Sequence, residues 1–224
     1  MKWLDFVAQM EQGMRASHAE RALTSEGCSM TNLVATIVLG LLFSPAAVAQ
    51  QPAIVSKPIA EKRVTDLPNQ PLFWRVENFT TTEEAQAASS DHSLAVEAFG
   101  KVWLFTLGPQ GQASAGGVKV ADIGPLPQVT ASQYLLRVNE GSGVPGSTTS
   151  VHTHPGSEGY FVLSGEASQK TPHGVSRISA GQTLAGHGAD TVMQFMNSGT
   201  TDVRYFALFL VDATKPFTSP AKFE

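Results

Sequence analysis

One cysteine, Cys28, serves the whole chain of 224 residues, and it stands ahead of the region where strand patterns begin. Neither a disulfide framework nor a thiolate metal cage can be built from it. Charge is also scarce, with 15% Asp, Glu, Lys and Arg and a formal net charge of −4, so the basic face that gathers a phosphate backbone is missing and nucleic acid is excluded as an expected partner. Between Gly27 and Ser56 there is no charged residue at all. Inside that window Leu33–Phe43 is an apolar run too short to span a bilayer comfortably and about as long as the core of a secretory signal.

The run ends at Ser44-Pro45, and Ala47-Val48-Ala49 follows as a small-x-small cleavage pattern. The expectation is a signal peptide over 30–49, cut after Ala49, with 1–29 as an upstream extension that is not normally translated. The product would be periplasmic or secreted, with no stable membrane insertion after cleavage. The alternative is an anchor formed by an uncleaved N-terminal segment. After Ala49 there are 12 Lys and Arg against 15 Asp and Glu, a net charge of −3, so export leaves the charge reading unchanged.

With 42% hydrophobic residues, the remainder is long enough for one sizeable core. Residues 50–71 carry Pro, Lys, Gln and Ala without a period, which predicts an extended, weakly packed arm or linker before a single domain over 72–224. Thr80 or Thr81, with Glu83 or Glu84 three residues on, predicts one short capped helix. Seven runs then read as strands: 102–107, 118–123, 134–138, 160–163, 175–178, 191–195 and 203–211. They are rich in β-branched and aromatic residues, and turn formers bound most of them. The fold class is mainly β, an antiparallel sandwich or barrel, in which 203–211 is apolar on both faces and therefore central. Trp74 and Trp103 read as core, and Leu136, Val162 and Phe195 as inward-facing apolar positions suited to a small hydrophobic or aromatic ligand.

Residues 152–158 read His-Thr-His-Pro-Gly-Ser-Glu. Side chains on a strand repeat every two residues, so His152 and His154 share a face, and a Pro155-Gly156 turn can bring Glu158 beside them. Two imidazoles and a carboxylate suit a divalent first-row metal: Mn, Fe, Ni, Zn or Cu. The glycines around them complete Gly146-x5-His152-x-His154-x3-Glu158-x6-Gly165, which resembles the first motif of the cupin superfamily without a mismatch. This resemblance implies a double-stranded β-helix, a jelly-roll barrel with its metal inside. It further implies small-molecule ligands and a homodimer.

The second cupin motif is departed from. The resemblance implies a third histidine, which a Pro-x-Gly turn precedes and an Asn follows four residues on; here Gly181 and Asn197 are kept, His187 takes the proline position, and Met193 stands for the histidine. Three readings stay open. Met193 could join His152, His154 and Glu158 as a thioether ligand favouring copper, could be an apolar wall beside open positions, or could be displaced in function by His187 folding back from its loop. Tyr160, two residues beyond Glu158, and His187 are the candidate catalytic groups. His92 and His173 sit in turn-forming surroundings and read as solvent-exposed, and Gln194 should point out of the barrel. A metal-dependent oxidoreductase, isomerase or lyase and a non-catalytic binding module are the competing functions, with a structural module in which the metal is vestigial as a third.

Overall fold

The computed structural model describes residues 51–224; the expected signal segment 30–49 and the extension 1–29 lie outside the described residues. In chain order the elements are β1 (Val55–Val64), β2 (Phe73–Phe79), α1 (Thr82–Ala87), β3 (Ser93–Ala98), β4 (Lys101–Gly108), β5 (Val118–Ile123), β6 (Tyr134–Gly143), β7 (His152–Thr153) and β8 (Gly156–Ser164). They continue with β9 (Glu166–Thr171), β10 (Gly174–Ser179), β11 (Thr183–Leu184), β12 (Gln194–Asn197), β13 (Val203–Asp212) and β14 (Ser219–Pro220). Among the described residues, no helix is long and apolar enough to cross a membrane.

Three antiparallel sheets stack as layers. The middle one has the order β1-β6-β13-β8-β11; the three-stranded β10-β9-β12 covers one of its faces, and β3-β4-β2-β5 covers the other. β13 explains why both covers are needed. Its even residues Phe206, Leu208 and Leu210 pack against Trp74, Val76, Trp103 and Phe105 of the four-stranded sheet, and its odd residues Tyr205, Ala207, Phe209 and Val211 face Tyr160, Val162 and Phe195. A strand covered twice must be apolar at both parities, as 203–211 is. Phe206 meets Trp103 and Phe105 edge-on at centroid distances of 4.9 and 5.0 Å. The middle and three-stranded sheets together form the double-stranded β-helix, a mainly β architecture.

The helix forms where expected. Thr81 caps it, its side chain accepting from the Glu84 amide while Glu84 reaches back to the Thr81 amide, and Ala85 packs on Leu104 and Phe79 over the far face of the four-stranded sheet.

Two expectations fail. The segment 50–71 is not a weakly packed arm: from Val55 to Val64, β1 pairs with β6 in the middle sheet, and Ile59, Ala60 and Val64 pack on the main core. Its charges and Pro58 hide the strand because β1 is a sheet edge, where one side stays wet; the register shifts between Pro58 and Ala60. Leu136 is not inward-facing either. It lies with Val138 against the four-stranded sheet, so the more polar parity of β6, with Asn139, faces the barrel.

Candidate metal centre

The site is assembled where β7 runs into β8. His152 belongs to β7, Glu158 to β8, and His154 to the turn between them; their ligand atoms lie within 4.8 Å of one another. The His152 and His154 rings are 4.8 Å apart, and His154 Nε2 is 4.0 Å from Glu158 Oε1. His154 and Glu158 are buried, whereas His152 is half-buried at the mouth.

Hydrogen bonds decide what the imidazoles can do. The Nδ1 of His152 lies 2.7 Å from the Ser150 carbonyl, and that of His154 lies 2.6 Å from the Phe217 carbonyl. A carbonyl oxygen can only accept, so each Nδ1–H donates, and in the neutral ring the lone pair then belongs to Nε2. Burial drives the pKa of His154 down to about 4, with His152 and Arg137 adding to the decrease against the Phe217 hydrogen bond, so its ring is a neutral donor of electrons near pH 7. Burial likewise pushes Glu158 up to about 8, against the Tyr160 hydroxyl beside it, and Glu158 Oε2 is buried with no hydrogen-bond partner. An orphaned carboxylate oxygen is costly unless something cationic claims it. Two Nε2 atoms and the Glu158 carboxylate fit a divalent metal ion, and the outward Nδ1 bonds are the supporting contacts that orient such ligands.

The surrounding loop is held close. A Cβ on Gly186 would collide with the Glu158 carbonyl oxygen, and Gly186 has φ +74°, so only glycine lets the 185–193 loop lie on β8 there. The Asp190 amide donates to the His154 carbonyl, and His152 and Met193 exchange two backbone bonds of 3.0 and 2.9 Å. Met193 is buried, and its Sδ accepts from Gln169 Nε2 at 3.4 Å. The ring of His187 lies 5.7 Å from that of His173, outside the cluster of His152, His154 and Glu158. Tyr160 is buried beside Glu158, and burial together with the Glu158 charge holds its hydroxyl well above the usual tyrosine range. Gln194 donates to the Thr149 carbonyl. His92, half-buried, reaches the Asp66 carbonyl.

Sequence reasoning missed several lining groups. The C-terminal segment supplies the Phe217 carbonyl, β14 pairs with β7, and the N-terminal β1 supplies Ser56 at the rim. A cleft of about 560 Å³ opens over the cluster, walled by Phe195, Tyr205, Phe209 and Phe217, with Asn139 also in its lining. Backbone carbonyls and residues far apart in the chain leave no local signal.

No protein-family profile and no curated protein matches the chain. Among solved structures, it is similar to an uncharacterised protein with a double-stranded β-helix domain from Klebsiella pneumoniae, at 24% identity and TM-score 0.35 over 39% of this chain and 76% of that one. A Cupin 2 conserved barrel domain protein from Salinispora arenicola matches at 18% identity and TM-score 0.32, covering 35% of this chain and 65% of that one. The DMSP lyase DddQ from Ruegeria pomeroyi matches at 20% identity and TM-score 0.33, over 38% of this chain and 43% of that one. The last match spans less than half of the lyase.

Proposed function

We propose that this chain is an exported cupin-type protein that holds a divalent first-row metal through His152, His154 and Glu158 and uses it on a small organic molecule. The observation that carries the reading is that both Nδ1 atoms are used on backbone carbonyls while one ligand atom each of His152, His154 and Glu158 lies within 4.8 Å of the others, and Glu158 keeps a buried oxygen without a partner. Bound there, the metal would supply Lewis acidity or a redox centre. The chain's own residues would orient the ligands, exclude water through the aromatic walls, and place the Tyr160 hydroxyl beside Glu158. Oxidoreductase, isomerase and lyase chemistry are all compatible with such a donor set.

A non-catalytic binding module is the second reading. It is favoured by Tyr160 and Tyr205, the titratable side chains that line the cleft beside His152, His154 and Glu158: burial raises the pKa of both hydroxyls, which makes each a reluctant proton donor. Met193 fits buried packing better than a ligand, since its Sδ already accepts from Gln169.

Metal identification on the protein isolated from its native compartment tests the proposal. About one ion per chain is expected, lost in His152→Ala; no ion near that ratio sinks it. The mature chain should begin at Gln50, and a product that retains Met1 or Met30 contradicts export with cleavage.

A further inference from the structure

Two polar oxygens in this cleft are buried and unpartnered, and they sit at opposite sides of it. One is Glu158 Oε2 on β8; the other is Oδ1 of Asn139 on β6, a residue only 7% exposed. The register places them. Asn139, Ala207 and Tyr160 form one row across β6, β13 and β8, and Phe209 with Glu158 belongs to the next row on the same face. With strands about 5 Å apart and same-face rows about 6.6 Å apart along them, Asn139 and Glu158 are separated by roughly 12 Å of sheet.

Between them the floor is Ala207, the smallest side chain among its neighbours there. Around this low point stand aromatic rings: Phe195 stacks on Tyr160 at 4.6 Å, and Tyr205 meets Phe195 at 4.4 Å. Asn139 uses its Nδ2–H to donate to Ser56 Oγ at 3.2 Å, which fixes the amide and leaves Oδ1 as the acceptor without a donor. A flat body over Ala207 would find aromatic surface, and a hydroxyl or N–H at its far end would find Oδ1.

We infer that the cleft is a binding site for a small monocyclic aromatic molecule carrying an oxygen group at one end and a hydrogen-bond donor at the other. The oxygen end faces the cluster of His152, His154 and Glu158, the ring lies over Ala207, and the donor is read by Asn139. The orientation rests on the metal reading above; the ring and donor selection does not. Asn139 is a specificity determinant, because a buried acceptor left without a donor penalises any ligand that lacks one.

The test is calorimetric titration of the full chain, with and without one equivalent of manganese(II), using 4-hydroxybenzoate, 4-methoxybenzoate and trans-4-hydroxycyclohexanecarboxylate. 4-Hydroxybenzoate should bind at least tenfold tighter than either analogue. Asn139→Leu, similar in branching, should remove the preference over the methoxy compound. Ala207→Leu, which raises the floor, should weaken 4-hydroxybenzoate at least tenfold while manganese still binds. Equal affinity for the three compounds, no binding by any of them at millimolar concentration, or an unchanged preference in Asn139→Leu overturns the inference. If the preference and its loss are found equally in chelated protein and manganese adds nothing, the metal reading fails and the aromatic site stands.

Discussion

Replacing Glu158 by Gln in metal-free protein should reverse the response of stability to alkaline pH. In the folded chain the carboxyl has a pKa of about 8, against 4.5 when unfolded, so the native state holds its proton more tightly. Stability from this group is fully present below pH 4.5 and is lost as pH rises through 8. From pH 6 to 8 the loss is about 2 kcal/mol, each pKa unit being worth about 1.4 kcal/mol. His154 works in the other direction: depressed to about 4 from 6.5, it contributes stability present above 6.5 and lost toward 4, so it adds a smaller gain between pH 6 and 8. Glu158→Gln keeps the His154 contribution and deletes the larger opposing one. Urea unfolding in chelator at both pH values, fitted for free energy, measures the difference. Wild type should lose about 2 kcal/mol relative to Glu158→Gln across that interval, roughly 4–8 °C in melting temperature. Parallel pH dependence of the two proteins would refute the claim that Glu158 is buried without a cation. Added metal should stabilise wild type more at pH 8 than at pH 6, because ligands must be deprotonated to bind it.

Gly186→Ala should cost at least about 2 kcal/mol in urea unfolding and weaken metal binding, since its Cβ would collide with the Glu158 carbonyl; a change under about 0.5 kcal/mol would contradict the loop contact. Deleting Thr214–Glu224 removes the carbonyl that orients His154, and calorimetry should show metal affinity falling about 10- to 100-fold, whereas unchanged affinity would leave the segment no positioning role. Phe206→Ala should cost about 3–5 kcal/mol yet leave metal affinity unchanged, because that ring faces the four-stranded sheet; a large loss of metal affinity would break the two-faced reading of β13.

Much of this was legible in the chain because apolar strands announce themselves. The run 203–211 could only be a doubly covered central strand, and the spacing of His152, His154 and Glu158 encoded their proximity. What stayed hidden has physical causes. β9 reads Glu-Ala-Ser-Gln-Lys-Thr, with no apolar alternation, yet Ser168, Gln169 and Thr171 are buried; Ser168 Oγ is satisfied by Ser198 Oγ at 2.7 Å, so polarity did not mean exposure. β2 likewise buries Glu77, held by Arg75 and Ser114. Leu136 was given the wrong face because an apolar parity was assumed to point into the barrel. A second sheet on the outer face takes the apolar residues and leaves the polar parity to the cleft, where Asn139 now stands. The Phe217 carbonyl and Ser56 come from widely separated parts of the chain, and no local pattern marks either.

A crystal of the protein soaked with manganese(II) or zinc(II) and measured at an anomalous edge tests the central claim most directly. The account predicts one anomalous peak within about 2.3 Å of His152 Nε2, His154 Nε2 and a Glu158 oxygen. A peak bound through Nδ1, a peak elsewhere, or none at this cluster would contradict it.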